Sequence, residues 1–283
     1  MNWQEYEKEV ASEFSARYPN SKVTWNVKLP GCLSGVDRQI DILVESSLAG
    51  VPFRTAIDAK MYSRAVDVKD VEEFLGMMVD VGVERGFMVT TQGYSSAALE
   101  RAHRDATDIE LDVLSLAEFK EFQAPIGIPF SGDKAVILPA PFGWVIDANV
   151  QGSPAVMYQR GLTAQEANET YEWAYMQFWH KDVKDTPVTV EGVLAKQDEN
   201  LKRENPNTEL LRLASPQECR YPSSIRLAKR LHYPAWEYTG IVEFNDFLFF
   251  IVLFTLPNVA KRNLRKLYEV LTWVRPGHIK STT

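Results

Sequence analysis

Two stretches decide how this chain is read: Arg38-Gln-Ile-Asp-Ile-Leu-Val-Glu45 and Thr55-Ala-Ile-Asp-Ala-Lys-Met61. Both follow the period of two that a strand imposes on its faces. In the first, Ile40, Ile42 and Val44 fall on one face, and Asp41 points to the other beside Leu43. In the second, Ile57, Ala59 and Met61 share one side, and Asp58 and Lys60 the opposite one. A carboxylate and an ammonium on the inner side of an otherwise apolar strand are costly to bury without partners or a metal. Gly50-Val51-Pro52 turns the chain between the two strands. Paired as a hairpin, they bring Asp41 and Asp58 close together.

Two carboxylates at short range repel, and a divalent cation removes the repulsion. Oxygen ligands with few protein contacts and retained waters suit Mg²⁺, with Mn²⁺ as its substitute. Lys60 would then orient a metal-bound water and stabilise charge on a pentavalent phosphate. On spacing alone, a plain Asp–Lys surface pair on an edge strand remains the alternative.

Outward from this pair, Trp3, Tyr6, Val10, Phe14 and Arg17 or Tyr18 recur at helical spacing, and Lys22 to Lys28 is β-rich. Beyond the hairpin, Asp67 to Val83 reads as a helix with Val71, Phe74, Leu75, Met78 and Val79 on its apolar face. Gly86 to Thr90 and Ile109 to Leu114 read as strands, Ser95 to Arg104 and Leu116 to Phe122 as helices. The order α-β-β-β-α-β-α-β-α predicts an α/β sandwich with function at the sheet surface. The stretch Gln123–Asp133 carries two prolines and two glycines and marks a boundary. It divides the chain into domains at 1–123 and 134–283.

In the second domain, Ala135–Leu138, Gly143–Ile146 and Ala155–Tyr158 look like short strands. Thr163-Ala-Gln-Glu166 is a capping box opening a helix through Ala167, Tyr171, Ala174, Tyr175 and Phe178. Tyr238–Phe244 and Phe247–Thr255 flank an Asn245-Asp246 turn as a hairpin. A basic amphipathic helix follows, with Val259, Leu264, Leu267, Tyr268 and Leu271 inside. This predicts an α+β domain with an antiparallel sheet.

Asp41, followed after one hairpin by Asp58-Ala59-Lys60, resembles the PD-(D/E)XK nuclease signature, and the Mrr-like restriction endonucleases most of all. The resemblance spans about residues 3–122. It takes in Tyr6-Glu7, Gly35-Val-Asp-Arg-Gln-Ile-Asp41, and Gly86-Phe-Met-Val-Thr-Thr-Gln-Gly-Tyr-Ser95 followed by Ala97-Ala98. It implies a restriction-endonuclease-like α/β domain with an α-β-β-β-α-β core. Asp41 and Asp58 would be metal ligands, Ala59 would offer its carbonyl, and Lys60 would position the attacking water. Glu7 best matches the first-helix glutamate that some relatives add, with Glu9 and Glu13 solvated. Many Mrr-like enzymes carry Gln where Asp58 stands, so this chain follows the broader Asp/Glu pattern.

The resemblance therefore implies a Mg²⁺- or Mn²⁺-dependent endonuclease acting on DNA in restriction or antiphage defence. A catalytically silent nuclease fold serving as a binding module is the first alternative, and an RNase or structure-selective nuclease the second. The strand-hairpin-helix order of the C-terminal end is similar to the Mog1/PsbP-like α/β/α sandwiches, with no motif to accompany it.

Charge is uneven along the 283 residues. Residues 1–123 hold 13 Lys/Arg against 21 Asp/Glu, a net of −8, whereas residues 220–283 hold ten against four, a net of +6. An acidic first half argues against strong unaided affinity for a polyanion. Lys261, Arg262, Arg265 and Lys266 share part of one helix face and are the candidate phosphate contacts. The aromatic run Tyr171, Trp173, Tyr175, Phe178 and Trp179 would pack or stack bases, with packing favoured by its helical spacing. A homodimer or a protein partner through the C-terminal domain accompanies this reading.

Other classes are excluded by what the sequence lacks. His103, His180, His232 and His278 show no metal-ligand spacing, and neither a P-loop nor a Gly-x-Ser-x-Gly elbow occurs. The longest apolar run, Phe247 to Leu256, is about half a bilayer span, so no membrane helix is expected. The polar, acidic start argues against a signal peptide. Cys32 and Cys219 are too few for a disulfide scaffold. Each is expected as a small buried hydrophobe, and a cytoplasmic setting follows.

Overall fold

A computed structural model describes residues 2–104, 108–149, 152–181 and 188–279. The chain divides into two units, Met1–Phe122 and Gln123–Thr283. The first opens with helix α1 (Trp3–Arg17), closed at its N-terminus by a reciprocal capping box between Asn2 and Glu5. Strands β1 (Lys22–Pro30), β2 (Asp37–Leu48) and β3 (Val51–Lys60) form an antiparallel meander. Helix α2 (Val68–Val81) leads to β4 (Arg85–Thr90), and α3 (Ser96–His103) to β5 (Glu110–Ser115). Both strands run parallel to β3 in a sheet ordered β1-β2-β3-β4-β5. Helix α4 (Leu116–Phe122) ends the unit.

Each face of this sheet is covered by helices. On one, Leu43, Ala56, Met88 and Val113 meet Val71, Phe74 and Met78 of α2 and Ala98 and Ala102 of α3. On the other, Phe14 of α1 and Phe119 of α4 stack with ring centroids 4.2 Å apart, and both meet Phe87 of β4 edge-on. Val79 does not join the inner face of α2 and is 47% exposed. Val71, Phe74, Leu75 and Met78 already complete the stripe that a helix can bury.

Ile40 also departs from simple alternation, packing in the same cluster as Leu43. The β1–β2 register passes from Trp25↔Ile42 to Val27↔Ile40, stepping over Asn26 and Asp41, and Asn26 takes a φ of 51°. A non-glycine residue in the left-handed region breaks the pleat. Ile40 therefore comes round to the face covered by α2, and the interruption falls at Asp41.

The second unit begins with a strand where the prolines and glycines suggest a break. This is β6 (Ile126–Ser131), paired with β7 (Lys134–Leu138), and Pro129 sits beside its register shift, where a missing N–H is tolerated. There follow β8 (Trp144–Asp147), β9 (Val156–Gln159), α5 (Ala164–Thr170), β10 (Trp173–His180), α6 (Val190–Glu204) and β11 (Glu209–Leu213). The chain continues through β12 (Ser223–Lys229), β13 (Trp236–Glu243), β14 (Phe247–Thr255), α7 (Ala260–Trp273) and β15 (Arg275–His278). An antiparallel sheet is ordered β11-β12-β13-β14-β10-β9-β8, and a smaller one β15-β7-β6. Leu267, Val270 and Leu271 of α7 and Val136 and Leu138 of β7 cover one face of the large sheet; Val190, Val193 and Leu194 of α6 pack on the other.

The Thr163 capping box is present, but its helix stops at Thr170, with Tyr171 left-handed at φ 56°. Trp173 to His180 is a strand instead of a helix, paired along its length with β14. Its residues satisfy either periodicity over a few positions, and the ladder offered by Phe247–Thr255 decides between them. Gly86 lies close under α2, where an added Cβ would stand 2.6 Å from Met78 Sδ and 2.8 Å from Phe74 Cε1. Gly86→Ala is expected to lower stability by about 1–3 kcal/mol, read as a lower denaturant midpoint at unchanged slope.

Candidate active site

The β2–β3 ladder runs from Leu48↔Val51 to Ile42↔Ile57. Beyond it the side chain of Asp41 takes over, its Oδ2 accepting the Ala59 amide at 3.0 Å. Asp58 is hydrogen-bonded to Asp41, and its Oδ2 lies 3.0 Å from Lys60 Nζ. The expected face thus holds for Asp41, Asp58 and Lys60, and the three side chains meet where β2 and β3 part.

Electrostatics follow from this crowding. Burial pushes the Asp58 carboxyl up to about 7; the Lys60 ammonium pulls it back, and the nearby Asp41 charge raises it again. Burial by itself would lower the Lys60 ammonium. The Asp58 charge and hydrogen bonds to Asp58 and Tyr62 outweigh that and hold its proton more tightly. Glu7 of α1 accepts a hydrogen bond from Trp25 Nε1 at 2.9 Å. Its carboxyl is raised by burial, with the Trp25 bond opposing and the Asp41 charge adding to the rise. Glu7 therefore sits in the field of Asp41.

Asp41, Asp58 and Lys60 line a cavity of about 150 Å³ together with Gln39, Tyr62, Asp70 and Glu73. These last four escaped the sequence reading. Lys60 lies over the Tyr62 ring at 5.2 Å, and Arg64 approaches the same ring at 5.1 Å. Arg64 in turn grips both oxygens of Asp70, at 2.6 and 2.8 Å. The only available signal was the Asp67 N-cap, which places Asp70 and Glu73 on the first turns of α2.

The basic helix is placed differently. Of its four candidate phosphate contacts only Lys261 is exposed; Arg262, Arg265 and Lys266 are buried. Arg262 Nη2 donates to Glu172 at 2.9 Å, and Lys266 Nζ lies 5.6 Å from the Trp144 ring centroid. Arg262 and Lys266 thus meet partners within the second unit, and three of the four candidate contacts are turned away from solvent. Cys32 is exposed and Cys219 half-buried, so Cys32 is no core residue. His103 is satisfied by Asp112 at 2.8 Å. No described helix is long and apolar enough to cross a membrane.

Among the described residues, no group of three or more His, Cys, Asp and Glu side chains is gathered to cage a metal ion. The Asp41–Asp58 pair has hard oxygen donors, mutual repulsion and partial burial. A Mg²⁺ ion that keeps most of its waters answers all three, so the residues present fit it.

Residues 1–122 match the family model Mrr_cat, described as restriction endonuclease, in accord with an Mrr-like PD-(D/E)XK nuclease domain over that stretch. No curated protein matches the chain. Among solved structures it is similar to a protein of unknown function, AF1548, at 18% identity and a TM-score of 0.35, over 45% of this chain and 70% of that one. It is also similar to PsbP from the cyanobacterium Synechocystis sp. PCC 6803, at 10% identity and a TM-score of 0.34, over 54% and 92% of the two chains. A third likeness is to LpqN of Mycobacterium tuberculosis, involved in cell envelope biogenesis, at 9% identity and a TM-score of 0.37, over 57% and 96%.

The raised Asp58 carboxyl has a measurable sign. In metal-free protein the folded state holds this proton up to about pH 7, whereas an unfolded Asp loses it near 3.8. Folding stability should therefore fall between those values as pH rises, by on the order of a few kcal/mol. Asp58→Asn is expected to remove that slope in denaturation measured without metal. Mn²⁺ affinity of the unsubstituted protein should rise about tenfold per pH unit below 7, because the cation competes with one proton.

Proposed function

We propose that the chain is a Mg²⁺- or Mn²⁺-dependent endonuclease that hydrolyses phosphodiester bonds in DNA, in the setting of restriction or antiphage defence. The observation that carries this reading is the meeting of Asp41, Asp58 and Lys60 in one cavity at the parted ends of β2 and β3. The restriction-endonuclease family match over the same stretch supports it. Asp41 and Asp58, with the Ala59 carbonyl, would hold the cation. Once bound, the ion would polarise a phosphate oxygen and lower the pKa of a coordinated water.

The side chains divide the remaining work. Lys60 stays charged through the neutral range and would orient the attacking water against the growing phosphate charge. Glu7, held by Trp25, adds negative potential at Asp41 and so favours a cation there. The second unit would supply substrate or partner specificity, and the net charge of −8 on residues 1–123 makes such help necessary.

The test is nicking of supercoiled plasmid in Mg²⁺ and its arrest by EDTA. Asp58→Ala and Lys60→Ala are each expected to cut cleavage by at least about 10²-fold with the fold intact. Asp58→Ala should also lose Mn²⁺ binding, while Lys60→Ala keeps it, since an ammonium is no ligand. Wild-type rates in either variant would refute the assignment. Glu7→Gln is expected to reduce cleavage less than Asp41→Asn, with metal titration of both giving the same order.

A further inference from the structure

Lysine carries its ammonium on a flexible four-carbon stem, so orienting a water takes more than its presence in the cavity. Lys60 closes β3, where its backbone pairs with Thr90 and its carbonyl accepts the Thr91 amide at 3.2 Å. The head group is 25% exposed and lies 3.0 Å from Asp58 Oδ2. It also hydrogen-bonds to Tyr62 and stands 5.2 Å from the centroid of that ring. Asp58, Lys60 and Tyr62, at alternate positions of the chain, line the same cavity.

The contacts of Lys60 with Asp58 and with Tyr62 differ in how they respond to a cation. Once Asp58 shares its charge with a divalent ion, its pull on the ammonium weakens, and two positive charges at short range repel. An ammonium held by Asp58 alone would then swing out toward solvent. The ring and hydroxyl of Tyr62 attract it by a route that does not draw on the Asp58 charge. Tyr62 is itself anchored. It is half-buried and packs against the core cluster that contains Val66 and Phe74. The Arg64 guanidinium lies 5.1 Å from the ring centroid, and is fixed by both oxygens of Asp70 and by the Ala65 carbonyl at 3.0 Å.

The chain around the ring is fixed as well. Asp70 accepts the Asp67 amide at 2.8 Å within the capping box of α2. The Val66 amide donates to the Gly93 carbonyl at 3.0 Å, and the Val66 carbonyl accepts the Ser95 amide at 3.0 Å. The connection from β3 to α2 is thereby tied to the helix on one side and to the segment after β4 on the other. We propose that Tyr62 is the positioning residue of Lys60, keeping its ammonium at the cavity while a cation occupies Asp41 and Asp58. The inference rests on the nuclease reading for the water that Lys60 orients. It adds a residue that acts through Lys60 and leaves cation binding to the two carboxylates.

The experiment uses the full chain with ¹³C-labelled lysine, saturated with Mg²⁺, and reads the order of the Lys60 side chain from NMR relaxation at Cε. Loss of the signal in Lys60→Ala identifies it. Wild-type Lys60 should be more ordered than the exposed Lys196, and Tyr62→Leu should bring it down to the Lys196 level. The same substitution should lower the maximal rate of plasmid nicking about tenfold, with the KM for plasmid and the Mn²⁺ affinity unchanged. Tyr62→Phe, which keeps the ring and its packing, should restore most of the order and the rate. Lys60→Ala combined with Tyr62→Leu should be no slower than Lys60→Ala alone, since a positioning residue acts through the group it holds. A wild-type Lys60 as mobile as Lys196, a Lys60 equally ordered without Tyr62, a loss carried by KM, or additive losses in the double variant would each overturn the inference. A Tyr62→Leu variant that loses only thermal stability overturns it in favour of a packing role. Order that depends on Tyr62 in a wild type that never cleaves leaves the positioning standing and removes the nuclease reading; cleavage with Lys60 order independent of Tyr62 does the reverse.

Discussion

Two carboxylates held against each other where β2 and β3 part form the constraint around which the first unit is arranged. Paired charges of one sign in a half-buried place are unfavourable unless something offsets them. Here the Ala59 amide takes one oxygen of Asp41, the Lys60 ammonium takes Asp58, and a proton retained to about pH 7 relieves the rest. The backbone contributes as well. Asn26 in the left-handed region lets the β1–β2 register step over Asp41, and this frees its carboxylate from the ordinary pleat.

Positive charge is deployed throughout the chain to hold structure together. In the first unit, Arg38 is committed to Asp80, Arg64 to Asp70, and Arg85 to Glu110. In the second, Arg226 is 1% exposed and bonded to Asp198 at 3.2 Å and Glu237 at 2.7 Å, with Thr239 as a third partner. Arg262 and Asn263 of α7 converge on Glu172, which fixes the helix beside the start of β10. For the buried members, Arg85, Arg226 and Arg262, removing one partner leaves the other uncompensated, so these residues are structural even where a charge count suggests a binding surface. The net of +6 over residues 220–283 is therefore a poor guide to what that unit presents to solvent.

Local order carried most of what could be read in advance. The Asp41 and Asp58-x-Lys60 faces, the Thr163 capping box and the Asn245-Asp246 hairpin each depend on neighbours within a few residues. Periods of two and of three to four are imposed by backbone geometry alone. The readings that failed depended on distant partners. Trp173–His180 is a strand because β14 lies alongside it, and Arg262 is buried because Glu172 stands ninety residues away in the chain.

By itself, then, the sequence determined the order of elements in the first unit and the strand faces on which Asp41 of β2 and Asp58 and Lys60 of β3 meet. Tertiary structure alone decided that Ile40 turns to the side of α2, that Trp25 holds Glu7 near Asp41, and that Asp70 and Glu73 close the cavity. The reason is physical. A strand's period states which face a residue takes, but a charge becomes a site only when elements far apart in sequence bury it together, and that burial is a property of packing.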